Sequence, residues 1–146
     1  MQTLGINIAL TNCREIRFML STPNEDIDAG ALKFGIINNV IPNITDKNII
    51  VDFGVQYAYN GEPIMECRYA FQFDYKESED GALIKMSDNG INMPEDIMMT
   101  IINISSGAIR GIMIARTVGT YISKFPLPLL DLKSLMKDVK VIPPQK

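Results

Sequence analysis

Alternation of apolar and polar residues dominates the first half of the chain. Leu4, Ile6, Ile8 and Leu10 alternate with Thr3, Gly5, Asn7 and Ala9, and Ile16, Phe18 and Leu20 continue the same parity. A period of two marks a half-buried strand. The polar stretch 21–30, with Pro23, Asn24 and Asp26, predicts a loop. Leu32, Phe34, Ile36 and Val40 form a second alternating run, which Pro42 and Asn43 end. Val51, Phe53, Val55, Tyr57 and Tyr59 form a third, and Met65, Cys67, Tyr69, Phe71, Phe73 and Tyr75 a fourth. Between these two, Asn60-Gly61 tolerates positive φ at both turn centres, the strongest short-range hairpin signal. Asp52, Gly54, Gln56, Glu66, Arg68, Gln72 and Asp74 fall on the opposite face. A sheet with one apolar and one polar face is antiparallel and solvated on one side.

The pattern changes after a charged turn at 76–81 and a short extended piece around Leu83 and Ile84. Asn92-Met93-Pro94-Glu95-Asp96 predicts a helix start: a capping residue, a proline in the first turn, and acids near the positive end of the dipole. The helix is expected over 94–117, and its apolar residues run almost all the way round. Such a helix is buried on more than one side. One sheet covers one side only. Ser105, Gly107, Ala108 and Gly111, flanked by Ile104 and Ile112, allow close backbone approach, so a second copy of the chain is expected there. Close packing onto the chain's own sheet is the competing explanation. Gly119 breaks the helix, an apolar loop with Pro126 and Pro128 spans 118–129, and a short second helix follows at 130–138, before a tail at 139–146.

Strands first and helices last make an α+β domain. The expected fold is a four-stranded antiparallel sheet over 1–75, with a long and a short helix packed on one face. The 146 residues suffice for one domain. The net charge of −3 argues against a phosphate-backbone partner, so no nucleic acid is expected. Arg14 is the first basic residue, which argues against a secretory leader. Arg110 and Arg116 interrupt the longest apolar stretch and argue against a membrane span. Cys13 and Cys67 match no metal or redox spacing. Together these features predict a cytoplasmic protein.

Catalytic chemistry is scarce. The chain has no histidine, which removes the usual base for a serine or cysteine nucleophile. Its glycines form no phosphate loop. Asp52, Glu66 and Asp74 share the polar sheet face, where solvation explains them more simply than a metal site. No enzyme activity, metal or cofactor is expected. What stands out instead is an apolar loop, because loops are normally polar. Tyr121, Ile122, Phe125, Leu127, Leu129 and Leu130, with Leu132, Leu135 and Met136 of the second helix, form one candidate wall of a client-binding groove. A buried connection that seals the sheet is the plainer alternative.

The order of four strands, long helix, proline-bearing loop and second helix resembles the bacterial export chaperone family SecB. Gly119-Thr120-Tyr121 matches that family's break after the long helix. Phe125 and Leu127 match its loop leucines, and Leu130 to Met136 match the apolar pattern of its second helix, with Asp131 in place of asparagine. Prolines sit at 126 and 128, whereas the family has one soon after the break. The resemblance implies a homo-oligomer built as a dimer of dimers, and ATP-independent holding of unfolded or nascent polypeptides. It implies either service to an export motor ATPase, docked through an acidic patch for which Asp52, Glu66 and Asp74 are the candidates, or guarding of an antitoxin. Two other readings remain open on the residues alone. One is a small structural protein whose apolar helix and loop only mediate homo-oligomerisation. The other is a closed fold around a small apolar ligand.

Overall fold

The computed structural model describes residues 2–3, 6–21, 27–77, 82–87 and 90–142. Leu4, positions 22–26 of the expected loop at 21–30, positions 78–81 of the turn at 76–81 and positions 143–146 of the tail lie outside the described residues. The fold is α+β. Four long strands form the sheet: β2 (Ile6–Leu20), β3 (Leu32–Asn43), β4 (Asn48–Tyr59) and β5 (Glu62–Glu77). They pair antiparallel in the order β2-β5-β4-β3. The sheet is wider than four strands and is mixed. The short β1 (Gln2–Thr3) adds to β2, and the short β8 (Lys140–Val141) adds to β3 in parallel. A separate hairpin, β6 (Lys85–Ser87) with β7 (Gly90–Asn92), precedes the long helix.

The β4–β5 hairpin forms as its sequence predicts. Asn60 and Gly61 both take positive φ, at 51° and 82°, and Tyr59 pairs with Glu62 across the turn. Ile49, Val51, Phe53, Val55 and Tyr57 lie beside Met65, Cys67, Phe71 and Phe73, all buried on one face. The parity expected for the first strand fails in its middle. Register shifts lie between Leu10 and Asn12 and between Glu15 and Arg17. Each inserts one residue and turns the following side chains over. Cys13 and Glu15 therefore join Leu10 and Phe18 on the helix side, and Ile16 sits exposed at the second shift. Pro42, expected to end β3, lies inside it opposite Ile49. It shares the parity of Val40, whose carbonyl points away from β4 to accept from Ile142 N at 2.8 Å. The missing N–H therefore faces the outer edge, where a strand tolerates proline.

Helix α1 (Glu95–Thr117) begins after Pro94, with Asn92 in β7 and not in the capping position. Its buried row is Ile97, Ile101, Ser105, Ile109, Met113 and Thr117, with Met98 and Ile102 alongside. Residues four apart share a helix face, and this face lies on β4 and β5. Ser105 and Thr117 satisfy their buried hydroxyls by donating to the carbonyls of Ile101 and Met113, at 2.7 and 2.6 Å. By length and composition α1 is long and apolar enough to cross a membrane. Here its buried row belongs to the domain core. The short α2 (Leu132–Asp138) lies on the same side of the sheet, where Asn38 Nδ2 of β3 donates to the Leu135 carbonyl at 3.2 Å.

Glu77 ties three segments together. Its carboxylate accepts from Lys47 Nζ at 2.9 Å, from Ile84 N at 3.2 Å and from Leu83 N. Burial raises its pKa, but the bonds from Lys47, Ile84 and Leu83 outweigh burial and hold it below the usual value. A lowered folded pKa contributes stability above the unfolded pKa of about 4.3, and that stability disappears as pH falls through the folded value. Glu77→Gln is therefore expected to lower stability in urea melts at neutral pH. Its deficit relative to the parent should shrink steadily below about pH 4.

Candidate functional site

The loop after α1 is apolar yet held by polar contacts to its backbone. Gly119 takes φ +80° and reverses the chain. A 3-10 turn follows at Tyr121–Lys124. Tyr121 OH donates to the Ser21 carbonyl, and Tyr57 OH donates to the Phe125 carbonyl at 2.8 Å. Arg110 reaches across from α1, its guanidinium donating to the carbonyls of Leu127 and, at 2.9 Å, Pro128. Asp131 then caps α2, accepting from Lys133 N at 3.2 Å and Ser134 Oγ at 3.0 Å. A cap of this kind fixes where a short helix starts.

These contacts divide the nine expected groove residues into three sets. Ile122, Leu127 and Leu135 point inward and belong to the domain core, with Ile122 only 2% exposed. They seal the sheet and do not line an open groove. Tyr121, Phe125, Leu130, Leu132 and Met136 are half-buried and pack against that core. Leu129 stands free at 93% exposure. Three cavities open beside the half-buried set. One of about 140 Å³ lies between α1 and the loop, lined by Met113, Ile114, Val118 and Phe125. One of about 300 Å³ lies between β3 and α2, lined by Phe34, Ile36, Asn38 and Leu130. One of about 400 Å³ lies between Met99 at the start of α1 and Met136 of α2, with Lys133 and Lys137 beside it.

The expected interface residues on α1 also separate. Ser105 is fully buried against the sheet, so it is not available to a second copy. Ile104, Ala108 and Ile112 are half-buried flanks. Gly107 and Gly111 are exposed, and an added Cβ at either would meet nothing within 4 Å. Packing within one copy makes no use of their small size.

The expected acidic patch is largely neutralised. Arg68 clasps Asp52 with two bonds, at 2.8 and 2.5 Å, while Asn39 donates to the same carboxylate at 3.2 Å. Burial raises the Asp52 pKa, and the bonds from Arg68 and Asn39 more than reverse it. Gly54 eases the fit of the clasp, because a Cβ there would press on the Arg68 stem, 3.0 Å from its Cγ. Arg17 pairs with Glu66 at 2.9 Å. Asp74 alone of the three is exposed. Neither thiol is activated: burial, then proximity to Cys13, pushes Cys67 up to about 12, and burial also raises Cys13.

Sequence patterning gave no role at this site to two residues that shape it. Arg110 is one of two cations in an apolar helical stretch, and it serves the carbonyls of Leu127 and Pro128, which lie beyond the 3-10 turn. Asn38 is the polar exception in the alternation of Ile36 and Val40. Both anomalies are visible in the sequence, but their carbonyl partners at 127, 128 and 135 are not. Comparison of the chain with protein-family models, with curated proteins and with solved structures found no match.

Two substitutions separate sealing residues from free ones. Ile122→Ala is expected to cost about 2–5 kcal/mol in a denaturant melt, as for a core deletion. Leu129→Ser should stay within about 0.5 kcal/mol of the parent.

Proposed function

We propose that this chain is a SecB-like, ATP-independent holdase that binds unfolded polypeptides on the helix side of its sheet and works as a homo-oligomer in the cytoplasm. One observation carries the reading. Phe125 and Leu130 each line a cavity and Leu129 stands exposed between them, while Arg110 and Tyr57 hold the carbonyls of Phe125, Leu127 and Pro128. A rigid apolar ledge binds without first paying for its own ordering. Each client Leu or Phe side chain buried there contributes about 1.5–3 kcal/mol before ordering costs. Such sites are weak singly and hold firmly when an oligomer repeats them.

The exposed row of α1 supports oligomerisation. Met99, Asn103, Gly107, Gly111 and Ala115 run along its uncovered side, with Ile114 and Val118 beside them. Glycine inside a helix costs up to about 1 kcal/mol relative to alanine. Two exposed glycines whose space the protomer leaves empty are accounted for by a second helix packed close against them. The role proposed is client holding or antitoxin guarding. Docking on an export motor through Asp52 and Glu66 is not part of the proposal, because Arg68 and Arg17 already occupy those carboxylates.

The purified protein is expected to run above the mass of one chain in light scattering. It should also suppress aggregation of a chemically unfolded client without nucleotide. Phe125→Ser combined with Leu129→Ser should weaken client binding about tenfold or more while preserving native mass. Gly111→Leu should do the reverse: it raises helix propensity and leaves the protomer folded, yet lowers native mass. A protein that assembles but never holds a client is a structural homo-oligomer instead. A monomer with no effect on aggregation ends the proposal.

A further inference from the structure

We propose that the open half of the β3 edge is a strand-addition site for an extended polypeptide segment with apolar residues at alternate positions. This rests on the holdase reading and specifies how the polypeptide is gripped. The N–H and C=O of one strand residue point to the same side, and alternate residues repeat that direction. The Val40 carbonyl points away from β4, toward β8. The β3–β4 register runs unbroken from Leu32 opposite Tyr59 to Asn43 opposite Asn48. Ile36 and Phe34 therefore present their N–H and C=O outward as well. Among the described residues, β8 pairs only with Asn39 and Val40. Among the described residues, no strand lies beside the edge from Leu32 to Ile36.

What lies above that edge suits an apolar segment. Phe34, Ile36 and Asn38 share one face of β3, and Phe34 is 46% exposed. They line the cavity of about 300 Å³ that Leu130 and Leu135, together with the polar Asp131, Ser134 and Asp138, close from the α2 side. Asn38 is buried there. Its Nδ2 donates to the Leu135 carbonyl, but its Oδ1 has no partner. A buried acceptor left unpaired is unfavourable, and this one belongs to a residue that lines the cavity the segment would enter. The occupant is extended because the free groups are ladder groups, and β8 demonstrates that this edge takes a strand. It is apolar at alternate positions because every second side chain enters the cavity under α2. Backbone bonds along β3 supply affinity without a sequence requirement, which suits a holder of many clients.

A labelled ten-residue peptide with Phe and Val at alternate positions serves as the probe. Two further peptides carry N-methyl groups at every second residue, one in each register. The protein variant is Ile36→Pro, which deletes an outward N–H and spares the β4 ladder, as Pro42 already does. At least one methylated peptide is expected to bind the parent protein tenfold or more weakly. Ile36→Pro should lose the unmethylated peptide to a similar degree while still unfolding in one cooperative transition, at a melting temperature lowered by the loss of the half-buried Ile36 side chain. If the parent protein holds unfolded clients yet both methylated peptides bind as well as the unmethylated one, strand addition is wrong and the holdase reading stands. If Ile36→Pro lowers native mass and leaves peptide binding intact, the edge belongs to a second copy and the proposal falls. If the parent protein neither binds the peptide nor suppresses aggregation, both readings fail together.

Discussion

Everything on the helix side of the sheet is arranged around one constraint: α1 is too narrow to cover the apolar face beneath it. Its buried row lies on β4 and β5, the two central strands. The flanks are left to other devices. Toward β3, α2 supplies Leu135, and the loop adds the buried Ile122 and Leu127 to the same core. Toward β2, Arg116 does the work of a side chain that covers and of one that pairs. Its guanidinium lies 3.9 Å from the Phe18 ring centroid, bonds Glu15, and donates to Tyr69 OH at 3.0 Å. The aliphatic stem of an arginine covers apolar surface while its head stays polar. The loop is apolar because it fills a gap in coverage, and it is held by its carbonyls because it has no ladder of its own.

How far the sequence could be read follows from the kind of information each element carries. β4 and β5 were legible because the alternation from Ile49 to Tyr57 runs along a regular ladder, whose one register shift falls beside the turn between Tyr57 and Ala58, and because Asn60-Gly61 states its turn locally. The long helix was legible within a residue of its start, since Pro94 and the two acids after it are local signals. β2 was legible as a strand but not in its facing. A bulge adds one residue without altering composition, so the parity of Ile16 carried no warning. β8 was not legible at all. Two exposed residues have no pattern, and their place is set by an edge a hundred residues earlier in the chain.

The same logic explains why the candidate site could be only partly assigned. Apolar composition located the segment 121–136, but it does not distinguish a side chain that seals from one that is offered. Ile122 and Leu129 are equally apolar in the sequence and lie at opposite extremes of exposure. What separates them is the direction of the backbone, and that direction is dictated by Arg110, Tyr57 and Asn38 through bonds to carbonyls. Carbonyls are the one chemical group that sequence does not vary. The acidic face shows the converse. Asp52 and Glu66 read as surface charge until Arg68 and Arg17, themselves unremarkable in the sequence, turn out to lie within bonding distance.

The two edges of the sheet are treated differently, and the difference bears on the proposed strand addition. An open, regular edge invites pairing with another chain, and folded proteins usually blunt it with bulges and charge. β2 carries both. Its register shifts twice, Arg14, Glu15 and Arg17 crowd its middle, and β1 covers its start. β3 carries no shift along its whole length. Between Leu32 and Ile36 its one charged residue is Lys33, whose parity directs its backbone groups inward to β4. Pro42 blunts the far end and β8 occupies the middle, so the remaining open stretch is short and bounded on one side. A segment of that length is too brief to nucleate a stable sheet between folded copies without further contact. It suffices to align an unfolded chain whose side chains then settle beneath α2. Regularity at one edge and disruption at the other are what a sheet would need if one edge were kept for polypeptides and the other closed to them.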